Sequence, residues 1–152
     1  MQQKIADAAD RRILKELRAN ARISNNDLAE RVGLSPSPCL RRVRRMEEAG
    51  IIRGYTARVD PLIDGLTMTA IVIVRLSRQH EEEIVMFEEA IRSWDDVMEC
   101  HLVAGSPDYI LKVMSSGLDS YEQFIKGKIA RLKCVASIET SFVMNTIKEQ
   151  LT

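Results

Sequence analysis

Apolar residues in the first fifty positions recur at the spacing of short α-helices. Residues 7–20 place an apolar side chain every three or four positions, which predicts a helix with one buried stripe. The sequence SNND, which begins at Ser24, has the form of an N-terminal helix cap, and Gly33 marks the end of the helix that follows. We therefore expect two helices before residue 34, the second only about two turns long.

A third helix is predicted to begin at a pair of prolines. Ser35 can cap it with Pro36 at the first helical position, where the missing N–H group would have had no partner in any case. Alternatively, Ser37 is the cap and the helix begins at Pro38. Gly50 ends the helix in either case. A short helix, a glycine turn and a longer capped helix, preceded by a further helix, are the arrangement of a helix-turn-helix.

The third helix has an apolar face and a cationic face. Winding it at about 100° per residue places four residues on the side that packs on the first two helices. They are Cys39, Leu40, Val43 and Met46. The opposite side carries Ser37, Pro38, Arg41 and Arg45, with Arg42 and Arg44 on its flanks. Four guanidinium groups on one exposed surface repel each other unless an anion binds there.

The chain changes character near residue 60. Residues 50–59 continue from the third helix as a predicted strand, which makes the domain a winged helix-turn-helix. Residues 60–65, with the sequence DPLIDG, are rich in turn formers. We therefore place the boundary between two domains here, the first spanning residues 1–60 and the second residues 61–152.

The second half of the chain alternates strand and helix periodicity. We predict strands at residues 67–76, 97–104, 109–115 and 135–146, helices at 81–94 and 118–132, and a turn at 105–108. The order βαββαβ is that of a ferredoxin-like domain. The predicted fold class is therefore α+β, with an N-terminal winged helix-turn-helix followed by a C-terminal ferredoxin-like domain.

The net charge of zero conceals two halves of opposite charge. Residues 1–60 carry 13 Lys and Arg against 8 Asp and Glu, whereas residues 61–152 carry 9 against 14. The first half is therefore +5 and the second −5. This asymmetry favours a polyanionic partner for the first half only.

The cationic helix favours double-stranded DNA as that partner, because an α-helix fits the major groove and arginine pairs with guanine edges or phosphates. The candidate DNA-binding residues are Ser35, Ser37, Pro38, Arg41, Arg42, Arg44 and Arg45. By position near the helix N-terminus, the base readers are Ser37, Pro38 and Arg41, and the phosphate ligands are Arg42, Arg44 and Arg45. The alternative is a solvated run of charge in which Glu47 and Glu48 pair with Arg44.

Three runs of sequence carry a resemblance to a known family. They are ARISNNDLAERVGLSPSPCLRRVRRMEEAGIIRGY from Ala21, DPLIDGL from Asp60 and ECHLVAGSPDYILKV from Glu99. Over nearly its whole length the chain resembles the leucine-responsive regulator and AsnC family of prokaryotic transcription factors. The resemblance implies a DNA-binding winged helix-turn-helix and a βαββαβ domain that mediates oligomerisation and, in many members, binds an amino acid between dimers.

A homo-oligomer is also expected from the geometry of DNA recognition. One recognition helix reads only a few base pairs, so two helices on half-sites about one DNA turn apart are needed for useful specificity. A ferredoxin-like sheet with helices on one face leaves its other face for a partner to cover. We expect a dimer, and the family resemblance implies higher even-numbered assemblies such as an octamer.

The predicted turn at residues 105–108 is the candidate effector site. A turn that offers backbone N–H groups beside a carboxylate suits the two charged groups of a free amino acid. The resemblance implies the same place, since GSPDY from Gly105 matches a G-x-x-D-Y run that takes part in the effector response of the family. The candidate residues are Gly105, Ser106, Asp108 and Tyr109, with His101, Thr140 and Ser141 completing a pocket. The alternative is a plain hairpin, because Gly, Ser, Pro and Asp suit any turn.

Other classes of function are poorly supported by the sequence. Cys100 and His101 are neighbours in a predicted strand and point to opposite faces, so they cannot form a nucleophile and its base. The sequence has neither paired metal-ligand spacing nor a phosphate-binding loop, and we expect no enzyme, no metal and no cofactor. A nonspecific architectural DNA-binding protein is the alternative to a sequence-specific regulator. The chain lacks a long apolar run and a secretory signal, so we expect it in the cytoplasm, with no membrane partner.

Overall fold

The computed structural model describes residues 7–148, which fall into two compact units. The first unit, residues 7–58, is helical, and the second spans Val59–Lys148. The helices of the first unit are α1 (Ala8–Ala19), α2 (Asn25–Val32) and α3 (Pro36–Glu48). All three predicted helices are confirmed.

Side-chain caps fix where α1 and α2 begin. The Asp7 carboxylate accepts a hydrogen bond from the Asp10 N–H (2.8 Å), and the Asp10 carboxylate accepts one from the Asp7 N–H (3.2 Å). Ser24 Oγ accepts from the Asp27 N–H at 3.2 Å. Gly33 ends α2 in the left-handed conformation, with φ of 69°, which few other residues adopt at low cost.

Helix α3 begins at Pro36 with Ser35 in the cap position, so the alternative start at Pro38 is wrong. The Ser35 side chain makes no capping hydrogen bond. The core of this unit consists of Ile13, Leu28, Ala29, Val32, Cys39, Val43 and Met46. Leu40 was predicted on the same face but is 38% exposed, because it lies about 100° around the helix from Cys39.

The strand predicted at residues 50–59 does not form in the structure. A strand needs a hydrogen-bonded neighbour, and among the described residues every strand belongs to the sheet of the second unit. The segment instead continues from α3 without regular structure, and Tyr55 Oη donates a hydrogen bond to Glu47 Oε1 at 2.8 Å. This bond ties the segment to the last turn of α3.

The second unit contains four strands and two α-helices. They are β1 (Met68–Leu76), α4 (Glu81–Arg92), β2 (Val97–Leu102), β3 (Tyr109–Ser115), α5 (Leu118–Gly127) and β4 (Val135–Phe142). The strands form one sheet in the order β2-β3-β1-β4, and each neighbouring pair is antiparallel. This is the predicted ferredoxin-like βαββαβ arrangement, and the α+β fold class is confirmed.

Two element ends differ from the predictions by more than two residues. The predicted helix at residues 118–132 ends at Gly127, and a short 3₁₀ helix, Ile129–Arg131, follows it. Glycine weakens a helix interior because its backbone loses more freedom on folding. β4 ends at Phe142 rather than near residue 146. Its pairing with β1 closes just after Ala70, with a hydrogen bond from the Val143 N–H to the Thr69 carbonyl at 2.9 Å, and β1 begins one residue earlier, at Met68.

Both α-helices of the second unit cover one face of the sheet. The buried residues on that face include Val72 and Val74 of β1 and Leu111 of β3, all at 0% exposure. The opposite face carries Ile71, Ile73 and Ile110, which are only half-buried in the single chain. Alternation of this kind follows from the two-residue period of a strand.

The three tyrosines provide a test of this arrangement at alkaline pH. Burial, followed by the bond to Glu47, raises the pKa of Tyr55 to about 12. Burial also raises the pKa of Tyr109, and that of Tyr121. The folded state therefore favours the neutral phenol over the phenolate. The resulting contribution to the free energy of unfolding is fully present below the ordinary tyrosine pKa of about 10. It is lost as the pH rises through the raised pKa values of the folded protein.

We expect the folded protein to show almost no tyrosinate absorbance at pH 10, where a free tyrosine is half ionised. Ionisation of the buried Tyr109 and Tyr121 should appear at higher pH together with loss of the far-ultraviolet circular dichroism signal. The control is the same titration in denaturant, in which all three phenols should ionise near their ordinary pKa. A tyrosinate signal of one or more residues at pH 10, with the dichroism intact, would contradict the expectation.

Candidate DNA-binding and effector sites

The exposed surface of α3 carries most of the residues predicted to bind DNA. The exposed ones are Ser35, Ser37, Arg41, Arg44 and Arg45, and the half-buried ones are Pro38 and Arg42. Within residues 7–148, neither Arg41 nor Arg44 forms an ion pair. The proposed pairing of Arg44 with Glu47 is therefore absent from the structure, and Glu47 accepts the Tyr55 hydroxyl instead.

Two of the four arginines are held by acidic residues of α1 and its cap. Arg42 Nη1 donates to Asp7 Oδ2 (2.6 Å) and to Asp10 Oδ1 (2.9 Å). Arg45 Nη2 donates to Asp10 Oδ2 (2.5 Å). The Asp10 N–H and then Arg42 lower the pKa of Asp7, and the carboxylates of Asp7 and Asp10 raise that of Arg42. The Asp7 carboxylate and the Arg42 guanidinium are thus both charged at neutral pH.

These ion pairs correct the prediction for Arg42. Its side chain is only 28% exposed and lies against α1, so the structure does not place it as a phosphate ligand. The physical reason is its position on the helix. Arg42 lies at the edge of the apolar face of α3, within reach of the carboxylates of Asp7 and Asp10. Arg45 remains 47% exposed although it contacts the same carboxylate.

The Gly105 to Asp108 turn is held to the end of β1 by one carboxylate. Asp108 Oδ2 accepts the backbone N–H of Leu76 at 2.8 Å, and Oδ1 accepts from Gln79 Nε2 at 2.5 Å. The Ser106–Pro107 peptide bond is cis. Gly105 has φ of 116°, a conformation that favours glycine. Asp108 therefore shapes the turn.

A depression of about 560 Å³ lies beside this turn. Its lining is mostly apolar and consists of Leu76, Gln79, Ile84, Leu102, Val103, Ala104, Gly105, Asp108 and Tyr109. The Tyr109 hydroxyl donates to Glu88 Oε1 at 3.1 Å, and its ring is 1% exposed. Pockets of this size and lining are typical small-molecule sites.

The structure brings together only some of the residues predicted for the effector site. Gly105, Asp108 and Tyr109 line the depression, while Ser106 is exposed outside its lining. His101 is exposed and lies 3.3 Å from Glu99 Oε2. Its neighbours Cys100 and Leu102 share the helix-covered side with Tyr109, so His101 faces the other side of the sheet.

Thr140 and Ser141 are not part of this depression. They lie on β4, at the opposite edge of the sheet from β2, with β3 and β1 between the two edge strands. Thr140 Oγ1 is hydrogen-bonded to the Tyr121 hydroxyl at 2.5 Å. Leu76 is the residue of β1 that lines the depression, whereas Thr140 and Ser141 pair with Val72 and Ile71, four and five positions further along β1. These residues therefore do not complete the pocket within one chain.

Sequence reasoning missed Gln79 and the apolar lining of the depression. Gln79 lies 29 positions before Asp108 and meets it only because β1 and β3 are neighbours in the sheet. Leu102 does fall just before the predicted turn, and its alternation with His101 could have indicated that it faces the helices.

The comparisons with known proteins agree with this two-unit architecture. Residues 69–152 match the model of the Lrp/AsnC ligand binding domain, and residues 7–53 match that of a winged helix-turn-helix DNA-binding domain. The transcriptional regulator AzlB of Bacillus subtilis is 39% identical, over 93% of this chain and 90% of that protein. The chain belongs to the Lrp/AsnC family of transcriptional regulators.

Further members of the Lrp/AsnC family are similar in sequence and in structure. The leucine-responsive regulatory protein of Escherichia coli is 39% identical over 94% of this chain and 87% of its own. The regulator NMB0573 of Neisseria meningitidis, solved as a complex with L-Met, superposes with a TM-score of 0.90 at 34% identity, covering 95% of this chain and 93% of that one. Escherichia coli AsnC superposes with a TM-score of 0.86 at 28% identity, covering 96% and 97%.

Membership of the Lrp/AsnC family confirms that the chain is a transcriptional regulator with a winged helix-turn-helix that binds DNA. The family resemblance seen in the sequence is confirmed with it. None of the helices within residues 7–148 is long and apolar enough to span a membrane.

Proposed function

We propose that this regulator responds to a free amino acid with an apolar side chain, bound in the depression beside the Gly105 to Asp108 turn. The observation that carries the proposal is the pairing of a mostly apolar lining with a carboxylate and an exposed backbone turn. An apolar side chain would be removed from water by Leu76, Ile84 and Leu102. The polar end of the ligand would remain at the turn.

The two charged groups of an amino acid each have a partner of suitable chemistry at this turn. A carboxylate has about four lone-pair positions, and Asp108 uses two of them within the chain, so it can still accept a bond from a ligand ammonium group. The exposed Gln79 side chain could move aside for the same purpose. Gly105 contributes only backbone to the lining, and backbone N–H groups bind carboxylates.

Two solved relatives support an amino-acid ligand of this class. NMB0573 of Neisseria meningitidis was solved with L-Met. The feast or famine regulatory protein of Mycobacterium tuberculosis was solved with L-methionine, and it superposes with a TM-score of 0.81 at 30% identity, covering 94% of this chain and 95% of that one. Methionine has an unbranched apolar side chain that suits an irregular apolar pocket.

We further propose a division of labour between residues 1–60, which bind DNA, and residues 61–152, which assemble the protein and bind the effector. On α3, Ser37 and Arg41 near the N-terminus are proposed to read base edges and Arg44 to bind phosphate, because all three are exposed. Ser35 and Pro38 lie beside these residues in the cap and first turn of α3 and belong to the same proposed DNA-binding surface. The protein acts by binding rather than by catalysis.

Assembly into an even-numbered homo-oligomer, a dimer or a larger form such as an octamer, is part of the proposal. It is supported by the half-buried Ile71, Ile73 and Ile110 on the sheet face without helices, which a second copy would cover. An effector bound between copies could also receive side chains that are too distant within one chain, such as Thr140 and Ser141. We place the protein in the cytoplasm, where the DNA of bacteria lies.

A thermal-melt panel against the common amino acids tests the effector proposal. A ligand present at about 100 times its Kd stabilises the protein by about 2.7 kcal/mol, which is a clear shift in the melting temperature. We expect such a shift with methionine or with aliphatic amino acids, and little shift with charged ones. The measurement is the melting temperature at millimolar ligand.

Variants with a single substitution locate the site. Ala104→Phe should fill the depression and abolish the shift, whereas the same change at the exposed Ala136 of β4 should leave it unchanged. Asp108→Ala is a poorer probe, since it also leaves the Leu76 N–H without its acceptor. A shift that persists in Ala104→Phe, or the absence of any shift across the panel, would contradict the proposal.

A further inference from the structure

Asp10 is the most deeply buried charged group among the described residues. Its side chain is 3% exposed, and both carboxylate oxygens are bonded to arginines of α3, Oδ1 to Arg42 and Oδ2 to Arg45. A buried carboxylate is costly unless it is paired. Asp10 therefore depends on these two guanidinium groups, and they in turn depend on it for their orientation.

Arg42 and Arg45 differ in their exposure and in the number of N–H donors that remain available for a ligand. The Arg42 side chain is 28% exposed and is also hydrogen-bonded to Asp7, so it links α3 to α1 and its cap. Arg45 is 47% exposed and bonds Asp10 through Nη2 alone. A guanidinium has five N–H donors in a rigid plane, so most of those of Arg45 remain available on the exposed side.

We propose that Asp10 is a positioning residue for DNA binding, which orients the Arg45 guanidinium as a phosphate ligand. The same carboxylate holds Arg42 against α1 and away from the DNA-facing surface. An arginine held by a carboxylate loses less rotational freedom when it binds a phosphate. Phosphate contacts set the register and orientation of a recognition helix on the duplex. A residue of α1 thereby controls how α3 meets the base pairs.

The charges around α3 support this role over simple neutralisation. Asp7 and Asp10 balance Arg42 and Arg45, which leaves Arg41 and Arg44 as the cations of α3 without an ion pair within residues 7–148. If Asp10 were only a neutraliser, its removal would tighten binding to every DNA sequence. If it positions Arg45 on a phosphate, its removal weakens binding to the preferred sequence and to other sequences.

The test is a double-mutant cycle with the full-length protein. A duplex that the wild-type protein selects from a random library is the specific DNA, and a shuffled duplex is the control. We expect Asp10→Asn to weaken binding to the selected duplex by about tenfold, the size of one charge-assisted contact. In an Arg45→Ala background the same change should have little further effect, because the group through which Asp10 acts is already absent.

Two further variants keep the test decisive. Asp7→Asn loses only the exposed bond to Arg42 and should leave binding within about twofold of wild type, since surface ion pairs contribute little. Arg45→Lys retains the charge but replaces the rigid planar fork by a point charge on a flexible stem, which Asp10 cannot orient in the same way, so it should reproduce the tenfold loss even if Asp10→Asn does not fold. Equal losses from Asp10→Asn in both backgrounds, tighter binding to both duplexes, or full affinity in Arg45→Lys would overturn the proposal.

Discussion

Replacing Phe87 by alanine should lower the free energy of unfolding of the second unit by about 3 to 5 kcal/mol. Phe87 is completely buried, and its ring centre lies 4.5 Å from that of Tyr109. Its removal leaves a cavity between α4 and the sheet, which the surrounding strands cannot close. The Tyr109 ring would also lose an aromatic contact.

The measurement is denaturant unfolding followed by the fluorescence of Trp94, which is the single tryptophan of the chain. Trp94 lies in the second unit, with its ring 5.8 Å from that of Phe124, so its signal reports on that unit. The matched control is Met86→Ala, one position earlier on α4. Met86 is 50% exposed, and its loss should change the stability by no more than about 0.5 kcal/mol. Similar effects from both variants would contradict the assigned core.

The second large effect is expected on α3, where alanine at Arg41 or at Arg44 should weaken DNA binding in different ways. A bidentate contact from Arg41 to a guanine contributes about 1 to 3 kcal/mol of discrimination, so Arg41→Ala should relax the preference for the selected duplex. Arg44→Ala should weaken binding to all sequences alike. It should also reduce the dependence of log K on log salt by about 0.9, the value for one phosphate contact.

Competition binding of selected and shuffled duplexes at several salt concentrations distinguishes the two arginines. The control is Arg92→Ala, which removes an exposed arginine of the second unit that pairs with Glu88. It should leave both the affinity and the salt dependence close to those of the wild type. Equal weakening of all sequences by Arg41→Ala would show that Arg41 contacts phosphate and does not read bases.

The structure also changes how Asp108 should be interpreted. From the sequence, the Asp108 carboxylate was expected to be free to bind a ligand ammonium group. In the structure both of its oxygens accept hydrogen bonds, one from the Leu76 N–H and one from the Gln79 side chain. A buried backbone N–H left without an acceptor costs about 1 to 3 kcal/mol. Loss of effector response after a change at Asp108 would therefore have two possible origins. Filling the depression at Ala104 avoids this ambiguity.

The sequence by itself determined the order and type of the α-helices and of the four strands of the second unit. Helix periodicity, the caps at Asp7 and Ser24 and the glycine at position 33 act within a few residues, so they can be seen without the fold. The same local rules placed Arg41 and Arg44 on the exposed side of α3. They also identified the turn beside which the depression lies.

Only the tertiary structure decided which of these residues act together. Asp10 meets Arg42 and Arg45 across 32 and 35 positions, and Asp108 meets Gln79 across 29, because packing and strand order bring them together. The strand predicted at residues 50–59 does not form, because a strand needs a neighbouring strand to pair with, and local propensity does not supply one. The sequence predicted Thr140 and Ser141 beside the Gly105 to Asp108 turn, although the pairing of β4 with β1 places them four and five positions along β1 from Leu76. Contacts of this range depend on the whole fold, and a one-dimensional pattern does not contain them.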